Sequence, residues 1–509
     1  MGDAKPTGMN TALDTLAFGT DEDVERNFTL TRKERKQIPE GLTSKQLFRD
    51  VVLIAGPALA EMLLGSLVRM VDQMMVGSLG TGAISAVGLC LQPAFLLQTL
   101  LMAVNTGATA MVARARGADD LDRANRITRQ AFTISLAMGV LCSVLGAALA
   151  DPMVRFMAGG NENISEEIIA LGIGYFRIQC WTFLLPSLTF YITAILRGTG
   201  NSKPAMWYNI AANLVNIAGN WLLINGKLGF PKLGVAGAAW ATAFGQFVGF
   251  VWALWYITSG KYYVKLRFKP SELFKFDRDI VHGITTVGVP AMIEGFFMRI
   301  GLVLYTLTVT TLGDVDFATY NICLSIQSLT LMNGQAFAVS ATALIGQSLG
   351  RKRLDMADHY GRYCRLAAQV LAVVLAVVFF VFPKQLLNMF LAQPDSTMSA
   401  AESAKRIVDN TRVLKVGQNV MFMLAFMQPI QCSQFVVGGI LRGAGDTKVT
   451  AVILLVTTTI LRPLFGWVFV TLCGWGLPGA WGGLVIDQIL RTGLFFVRFG
   501  QGKWKRIRL

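Results

Sequence analysis

The chain has 509 residues, of which 53% are hydrophobic and only 15% are charged. A soluble protein of this size needs far more charge to cover its surface, so the composition argues against a soluble globular protein. The net charge of +15 could suit nucleic-acid binding, but the basic residues are confined to short segments between apolar runs. We therefore expect no nucleic-acid partner.

The first 45 residues are polar and carry no early apolar core of the signal-peptide type, which predicts a cytoplasmic tail over residues 1–45. Twelve apolar segments follow, several of them close to the roughly 20 residues that span a bilayer. Irregular backbone cannot face lipid, and the alternating strands of a barrel are absent. The sequence thus predicts an all-α polytopic membrane protein with twelve transmembrane helices.

Most basic residues fall on one side of these segments when the N terminus is cytoplasmic, as the positive-inside rule requires. This set comprises Arg32, Lys33, Arg35, Lys36, Arg114 to Arg129, Arg197, Lys203, Lys261 to Arg278, Arg351 to Arg365, Arg442, Lys448 and Lys503 to Arg508. The pattern predicts a multi-pass protein of the plasma (inner) membrane, surrounded by lipids. Both termini are expected in the cytoplasm, with a basic C-terminal tail at residues 499–509.

An internal repeat divides the chain. Laying Pro57 on Pro290, a shift of 290 − 57 = 233, also aligns Glu61 with Glu294. Later the shift becomes 442 − 197 = 245, where the segment LRGTGNSK after residue 195 matches LRGAGDTK after residue 440. A unit with an even number of spans returns to its starting side, so the copies are parallel repeats with a cleft between them. We predict six-helix halves at residues 46–258 and 280–498, joined by a cytoplasmic linker at 259–279.

Charged residues inside the spans are costly, by at least about 2.5–3.5 kcal/mol each, and usually mark function. Glu61 and Asp72 are eleven residues apart, which places both acids on one helix face. Arg69 lies three residues before Asp72, and either a static buried pair or a functional group fits this spacing.

The second half carries its own intramembrane charges. Glu294 and Arg299 are five residues apart and point to different faces, so both need partners on other helices. Asp487 and Arg491 are four apart, which suits a simple structural pair.

A stripe of asparagines follows in the first half: Asn209, Asn213, Asn216 and Asn220 are spaced 4, 3 and 4 residues apart on one helix face. Such amides need hydrogen-bond partners in the membrane. Two interpretations remain open. The stripe either holds neighbouring helices together through hydrogen bonds or, if it lies close to an ionisable Asp, forms a site for a proton or Na⁺.

In the second half, Gln428, Gln431 and Gln434 recur every three residues and are interpreted as a neutral cavity lining. Methionine is abundant, with 21 copies. Six of them either form an adaptable wall for flat apolar substrates or are ordinary packing residues: Met292, Met298, Met332, Met421, Met423 and Met427.

The chain resembles the multidrug and toxic-compound extrusion (MATE) family over nearly all of residues 45–509. The resemblance rests on VDQMMVG after residue 70, on both LRGxG(N/D)(S/T)K turns, and on GVAGAAWAT after residue 233. It implies a V-shaped, twelve-helix bacterial antiporter. Such a protein exchanges H⁺ or Na⁺ for organic, often cationic and amphipathic compounds, uses no cofactor and is expected to be a monomer.

Residue by residue, the resemblance matches Asp72 to the family's coupling aspartate, with Asn216 and Thr242 as its neighbours. Asn220 stands where one branch of the family has a second aspartate, which is more similar to the norfloxacin-exporter-like branch. The acids that this branch uses in its second half are replaced by Met298 and Gln431. Four further charges have no counterpart in the family pattern: Glu61, Arg69, Glu294 and Arg299.

Other functions fit less well. A flippase for lipid-linked saccharides, from the same superfamily, is the alternative to export. A membrane enzyme is disfavoured because the chain has only two histidines and no HExxH or nucleophile motif. A channel gives no reason for duplicated helices with prolines and asymmetric acids, and ATP-driven export would need a Gly-rich phosphate-binding loop that does not occur.

Overall fold

The computed structural model describes residues 11–29, 34, 37–159, 165–260, 262–267, 276–391 and 400–507, and all regular secondary structure in them is helical. A short 3₁₀ helix (Ala12–Thr15) and α1 (Asp21–Thr29) precede the membrane region. The first half contains α2 (Ser44–Gly77), α3 (Thr81–Gly117), α4 (Leu121–Ala148), α5 (Ala150–Ala158), α6 (Glu166–Trp181), α7 (Leu184–Gly198), α8 (Lys203–Asn225) and α9 (Val235–Thr258). The second half contains α10 (Arg278–Thr310), α11 (Asp314–Gly350), α12 (Leu354–Val381), α13 (Pro383–Asn388), α14 (Ala400–Gly443), α15 (Thr447–Leu472) and α16 (Gly476–Gly500). Eight residues of the predicted basic set lie outside the described residues: Arg32, Lys33, Arg35, Lys36, Lys261, Lys269, Lys275 and Arg508.

The helices account for twelve spans. Ten helices of the described chain are long and apolar enough to cross a membrane, and the bent pair of α6 and α7, which meet at 49°, makes an eleventh. The twelfth is α8, which has 23 residues and is less apolar because it carries the asparagine stripe. The predicted all-α polytopic fold with twelve transmembrane helices is confirmed.

Local sequence signals position the helix ends in the same way in both halves. Gly80 and Gly313 precede α3 and α11 with φ angles of 113° and 91°, a region that favours glycine. The two positions are related by the shift of 233 residues (313 − 80). Thr43 caps α2 by accepting from the backbone N–H of Gln46.

The two halves pack together through reciprocal contacts at one face of the bundle. Gly117 lies against the backbone of Gln347, and Gly350 lies against the backbone of Arg114. A Cβ atom added at these glycines would come within 1.9 Å of the Gln347 carbonyl oxygen and 2.1 Å of the Arg114 carbonyl oxygen. The shift of 233 converts one contact into the other, because 117 + 233 = 350 and 114 + 233 = 347. This exchange is the signature of a pseudo-twofold axis, as expected for parallel repeats.

Side chains strengthen the same junction. Arg114 Nη2 donates to the Ala444 carbonyl at 2.8 Å, and Gln347 Nε2 donates to the Gly198 carbonyl at 3.1 Å. Each residue thereby binds the LRGxG turn of the other half. We call this side of the molecule the basic face, because it also carries Arg351, Lys352 and Arg353 between α11 and α12.

The contact between α3 and α10 continues from the basic face past Gly288, which packs on the backbone of Ala103, to Gly295 beside Thr99, and beyond that level close glycine contacts stay within one half. Gly172 of α6 packs on Ala86 of α3 in the first half, whereas Gly301 of α10 packs on Thr458 of α15 in the second. The halves are therefore joined from the basic face to the level of Thr99 and Gly295, and beyond it α3 and α10 pack mainly within their own halves. This is the arrangement of a V that is closed at the basic face.

Candidate functional site

Three helices of the first half converge around Asp72. This residue lies on α2, while the asparagine stripe lies on α8 and Thr242 lies on α9. The face of α8 that carries the stripe packs along α2, so the amides are turned towards the two acids of α2. Asn216 and Asn220 are only 5% and 1% exposed, so their amides must find partners inside the protein.

The Asp72 carboxylate is held by amide groups. Asn220 Nδ2 donates to Asp72 Oδ1 at 2.6 Å. With its amide oriented so that both ends find partners, Asn216 donates to the two Asp72 oxygens at 2.8 and 3.1 Å and accepts from Thr242 Oγ1 at 3.0 Å. Asn220 Oδ1 is buried, and no hydrogen-bond partner for it occurs in the described part of the chain. A carboxylate and a spare amide oxygen therefore lie side by side.

Arg69 and Asn213 contribute less directly. Ion pairs within 4.0 Å between described residues do not include one between Arg69 and Asp72, and the Arg69 side chain is exposed. The interpretation as a static buried pair therefore does not apply. Asn213 Nδ2 and Arg69 Nη1 both lie near Gly65, about 4.0 and 3.7 Å from where its Cβ would be. Asn213 thus faces α2 at Gly65, about two turns before Asp72, with no direct bond to Asp72 among the described hydrogen bonds.

Glu61 binds a different part of the stripe. Its Oε1 accepts from Asn209 Nδ2 at 2.8 Å, and its Oε2 lies 2.9 Å from Arg197 Nη2. The two acids of α2 therefore lie on one face, as their spacing predicts, and share the stripe of α8 between them. Asn209 donates a hydrogen bond to Glu61, whereas Asn216 and Asn220 donate hydrogen bonds to Asp72.

The second half repeats this ion pair. Glu294 Oε1 accepts from Arg442 Nη1 at 2.8 Å, and Glu294 Oε2 accepts from Thr450 Oγ1 at 3.3 Å. Glu294 is the repeat counterpart of Glu61, and Arg442 is the counterpart of Arg197. The predicted partner for Glu294 on another helix is confirmed. The sequence predicts that both glutamates form interior ion pairs with arginines, but it assigns Arg197 and Arg442 to loops. The joint recurrence of the LRGxG motif and the glutamates could have indicated these two partners.

Arg299 finds a partner across the junction of the halves. Its guanidinium lies 4.1 Å from the centre of the Phe95 ring on α3, a cation–π contact. Beside it, α3 and α10 line a half-open apolar cavity of about 260 Å³, whose lining includes Leu96, Phe296 and Phe297. Met298 on α10 is 41% exposed, so it is not a buried packing residue.

The glutamines of the second half lie on α14, and their side chains are buried against neighbouring helices. Gln428, Gln431 and Gln434 are only 2–5% exposed, and Gln428 Nε2 donates to Thr330 Oγ1 on α11 at 2.8 Å. In this conformation they lie between helices rather than along an open cleft. Met421 and Met427 are fully buried and act as packing residues.

Asp487 forms a buried three-residue cluster. Its Oδ2 accepts from Arg462 at 2.9 and 2.6 Å and from Arg491 at 2.6 Å, and the carboxylate side chain is 0% exposed. The pairing with Arg491 agrees with their spacing on α16. Arg462, on α15, was not anticipated as a partner, because nothing in the local sequence links residues 25 apart.

Comparison with known proteins decides the family. Residues 57–222 and residues 290–468 both match the MatE family model, so the matches begin at Pro57 and Pro290, the residues that define the repeat. The chain belongs to the MatE family. The resemblance to bacterial MATE efflux transporters is thus confirmed.

Curated relatives of this MatE protein carry transporter names. It is 25% identical over 479 residues to the probable multidrug resistance protein NorM of Thermotoga maritima, covering 93% of this chain and 95% of the relative. It is 24% identical over 483 residues to the multidrug resistance protein PmpM of Pseudomonas aeruginosa, covering 92% and 95%.

Solved structures share the fold. A multidrug resistance MATE family transporter of the MOP superfamily, in an outward-facing conformation, aligns with a TM-score of 0.79 at 21% identity, covering 93% of this chain and all of that one. A MOP superfamily transporter from Pyrococcus furiosus, described as having a binding pocket of reversed polarity, aligns at 0.79 and 20% identity, covering 92% and 100%. At these identities the MatE fold is what the structures share.

Proposed function

We propose that this MatE protein is a secondary active exporter that exchanges H⁺ or Na⁺ for small organic compounds, with Asp72 as the coupling group. The observation that carries the proposal is the contact of Asp72 with Asn216 and Asn220 inside the spans. A carboxylate at this depth is costly and is retained where it serves function. Amide and carboxylate oxygens are also suitable ligands for a hard cation.

The amides can serve both states of the carboxylate. In the described conformation they donate to Asp72, which suits an ionised carboxylate because it can only accept. A protonated Asp72 would need an acceptor, and a bound Na⁺ would need oxygen ligands. Rotation of one amide by half a turn presents its oxygen instead, and Asn220 Oδ1 is already without a hydrogen-bond partner in the described residues.

Transport requires that the site open to each side in turn. We infer from the positive-inside rule that the basic face is cytoplasmic, which places both termini in the cytoplasm and the V opening outwards. The protein is then described in a conformation that releases substrate and admits the coupling ion. Opening of the basic face requires separation of Gly117 from Gln347 and of Gly350 from Arg114.

The substrate class is proposed from the cleft and from the relatives. Met298 and the apolar cavity between α3 and α10 favour flat amphipathic compounds, and the curated relatives are named multidrug resistance proteins. We propose that the protein works as a monomer in the inner membrane, because each half supplies its own set of buried polar residues.

Proteoliposomes with separately imposed gradients test the proposal. We expect an organic substrate to be concentrated when either a pH gradient or a Na⁺ gradient is applied, and substrate to drive ion flux in return. Substrate movement that is independent of both gradients would contradict the exchange of an ion for substrate. Gradient-independent equilibration of a lipid-linked saccharide between leaflets would favour the flippase instead.

A further inference from the structure

Residues 11–29, which we call the N-terminal strap, bind across the junction of the two halves on the basic face. We propose that the strap is a latch that holds the basic face closed and must detach before that face opens. The proposal rests on the alternating access of the proposed function. It adds a control element that lies outside both matched regions, residues 57–222 and 290–468.

The first attachment point is Asp50, near the start of α2. Its Oδ2 accepts from the backbone N–H of Ala12 at 2.6 Å and from the Tyr360 hydroxyl at 2.9 Å. Tyr360 belongs to α12 in the second half. One buried carboxylate, on a residue only 2% exposed, therefore joins the strap, the first half and the second half.

The second attachment point is Asp14. Its Oδ2 lies 3.2 Å from Arg116 Nη2 at the end of α3, and its Oδ1 lies 3.8 Å from Arg351 Nη1 just after α11. Arg351 also donates from Nε and Nη2 to the Leu16 carbonyl, at 3.2 and 2.8 Å. Because α3 and α11 belong to different halves, Asp14 and Leu16 bind both sides of the junction.

The strap also inserts an apolar anchor. Leu13 is 1% exposed and packs in a core cluster with Leu47 of α2 and with Phe337 and Tyr360 of the second half. A leucine that fills a pocket made by two bodies loses contacts when the bodies separate. Gly19 fits directly against the backbone of Lys352, where an added Cβ would come within 2.3 Å of the carbonyl oxygen.

The far end of the strap is fastened to the C-terminal end of the chain. Lys505 Nζ donates to Asn27 Oδ1 at 3.1 Å, and the Arg506 guanidinium lies 4.4 Å from the centre of the Phe28 ring. The strap is therefore held along its length by the second half, while Asp50 and Arg116 hold its beginning to the first half. Separation of the halves at this face must break one set of contacts. The strap thus adds its binding free energy to the closed state alone.

Distances between the halves provide a direct test. Lys203 and Lys448 are exposed, related by the shift of 245 residues, and lie in the first turns of α8 and α15 at the basic face. Spin labels on cysteines introduced at these two positions report the distance between the halves, which pulsed electron–electron double resonance measures. Six of the seven native cysteines are buried, so a Cys473→Ser background removes the exposed one.

Two variants weaken the strap in different ways. Leu13→Asp puts a charge into the anchor pocket, and deletion of residues 1–29 removes the strap altogether. We expect the ratio of long-distance to short-distance molecules to rise about tenfold in both variants, from an intact protein in which the long-distance state is a minor one of about 0.1–10%. Glu25→Gln, at an exposed position of α1, is the matched control and should leave the distribution unchanged.

The readout needs neither ion nor substrate, so it separates the latch from the proposed export. A shift in distances without gradient-driven transport by the intact protein would support the latch and contradict the exporter. A lowered melting temperature with an unchanged distance distribution would show that the strap only stabilises the fold, and would overturn the proposal. Unchanged distances in both the deletion and Leu13→Asp would overturn it as well.

Discussion

Gly117 and Gly350 occupy equivalent positions in the two halves, and each packs on the backbone of the other half. The absence of a side chain is what lets α3 and α11 meet at the basic face. Gly117→Ala should therefore force the halves apart there, since overpacking costs about 1–3 kcal/mol.

We expect Gly117→Ala and Gly350→Ala to favour the conformation that is open at the basic face. The same Lys203 and Lys448 label positions measure this effect. Gly88→Ala is the matched control on α3, because an added Cβ there meets nothing within 4 Å. An unchanged distance distribution in both junction variants would show that the described packing does not set the conformational equilibrium.

The paired glutamates give a prediction about stability. Glu61 and Glu294 have side chains only 13% and 8% exposed, and each faces an arginine at the end of a helix. Removal of one partner of a buried pair costs about 3–5 kcal/mol, because the other charge is left uncompensated. Glu61→Gln and Glu294→Gln should each lower the melting temperature in detergent.

The control for this pair is Asp151→Asn. Asp151 lies 3.1 Å from Arg155 in an exposed ion pair, and its loss should leave the melting temperature unchanged. An unchanged melting temperature in both glutamate variants would instead identify Glu61 and Glu294 as hydrated groups that face the substrate.

The cluster around Asp487 predicts an order of severity. Asp487→Asn leaves Arg462 and Arg491 buried together without a carboxylate, whereas Arg491→Met preserves one ion pair. The aspartate variant should therefore yield less folded protein and melt at a lower temperature than the arginine variant. Fluorescence-detected gel filtration after heating measures both quantities, and the reverse order would mean that the cluster contains a further compensating charge.

Much of this architecture follows from the sequence. The shift of 233 residues predicts the two halves, and the spacing of Glu61 and Asp72 predicts their common face. The asparagine stripe on α8 is a regular pattern with a helical period, so a single polar face turned towards other helices could be expected. Regular spacing within one helix is what sequence reasoning detects well.

Contacts between distant segments could not be predicted. Arg197 and Arg442 stand at helix ends, where charge counting assigns them to loops, yet their long side chains reach back to the glutamates. The strap lies within the tail that is predicted to be polar, and its partners Arg351 and Tyr360 lie more than 300 residues away. Only the three-dimensional structure reveals that the predicted tail binds both halves.

The central claim is that Asp72 couples ion movement to export, and Asp72→Asn tests it most directly. The substitution keeps the shape of the side chain and one oxygen that accepts from the amides of the stripe, but it removes the second accepting oxygen and the titratable charge. In proteoliposomes with an imposed gradient, we predict a folded protein that still binds and exchanges substrate but no longer concentrates it. Asn216→Ala should show a milder loss of substrate concentration. Asn213→Ala removes an amide that does not bind Asp72, so its gradient-driven transport should stay close to that of the native protein. Full gradient-driven concentration by Asp72→Asn would contradict the account and move the coupling site to Glu61, Glu294 or Asp487.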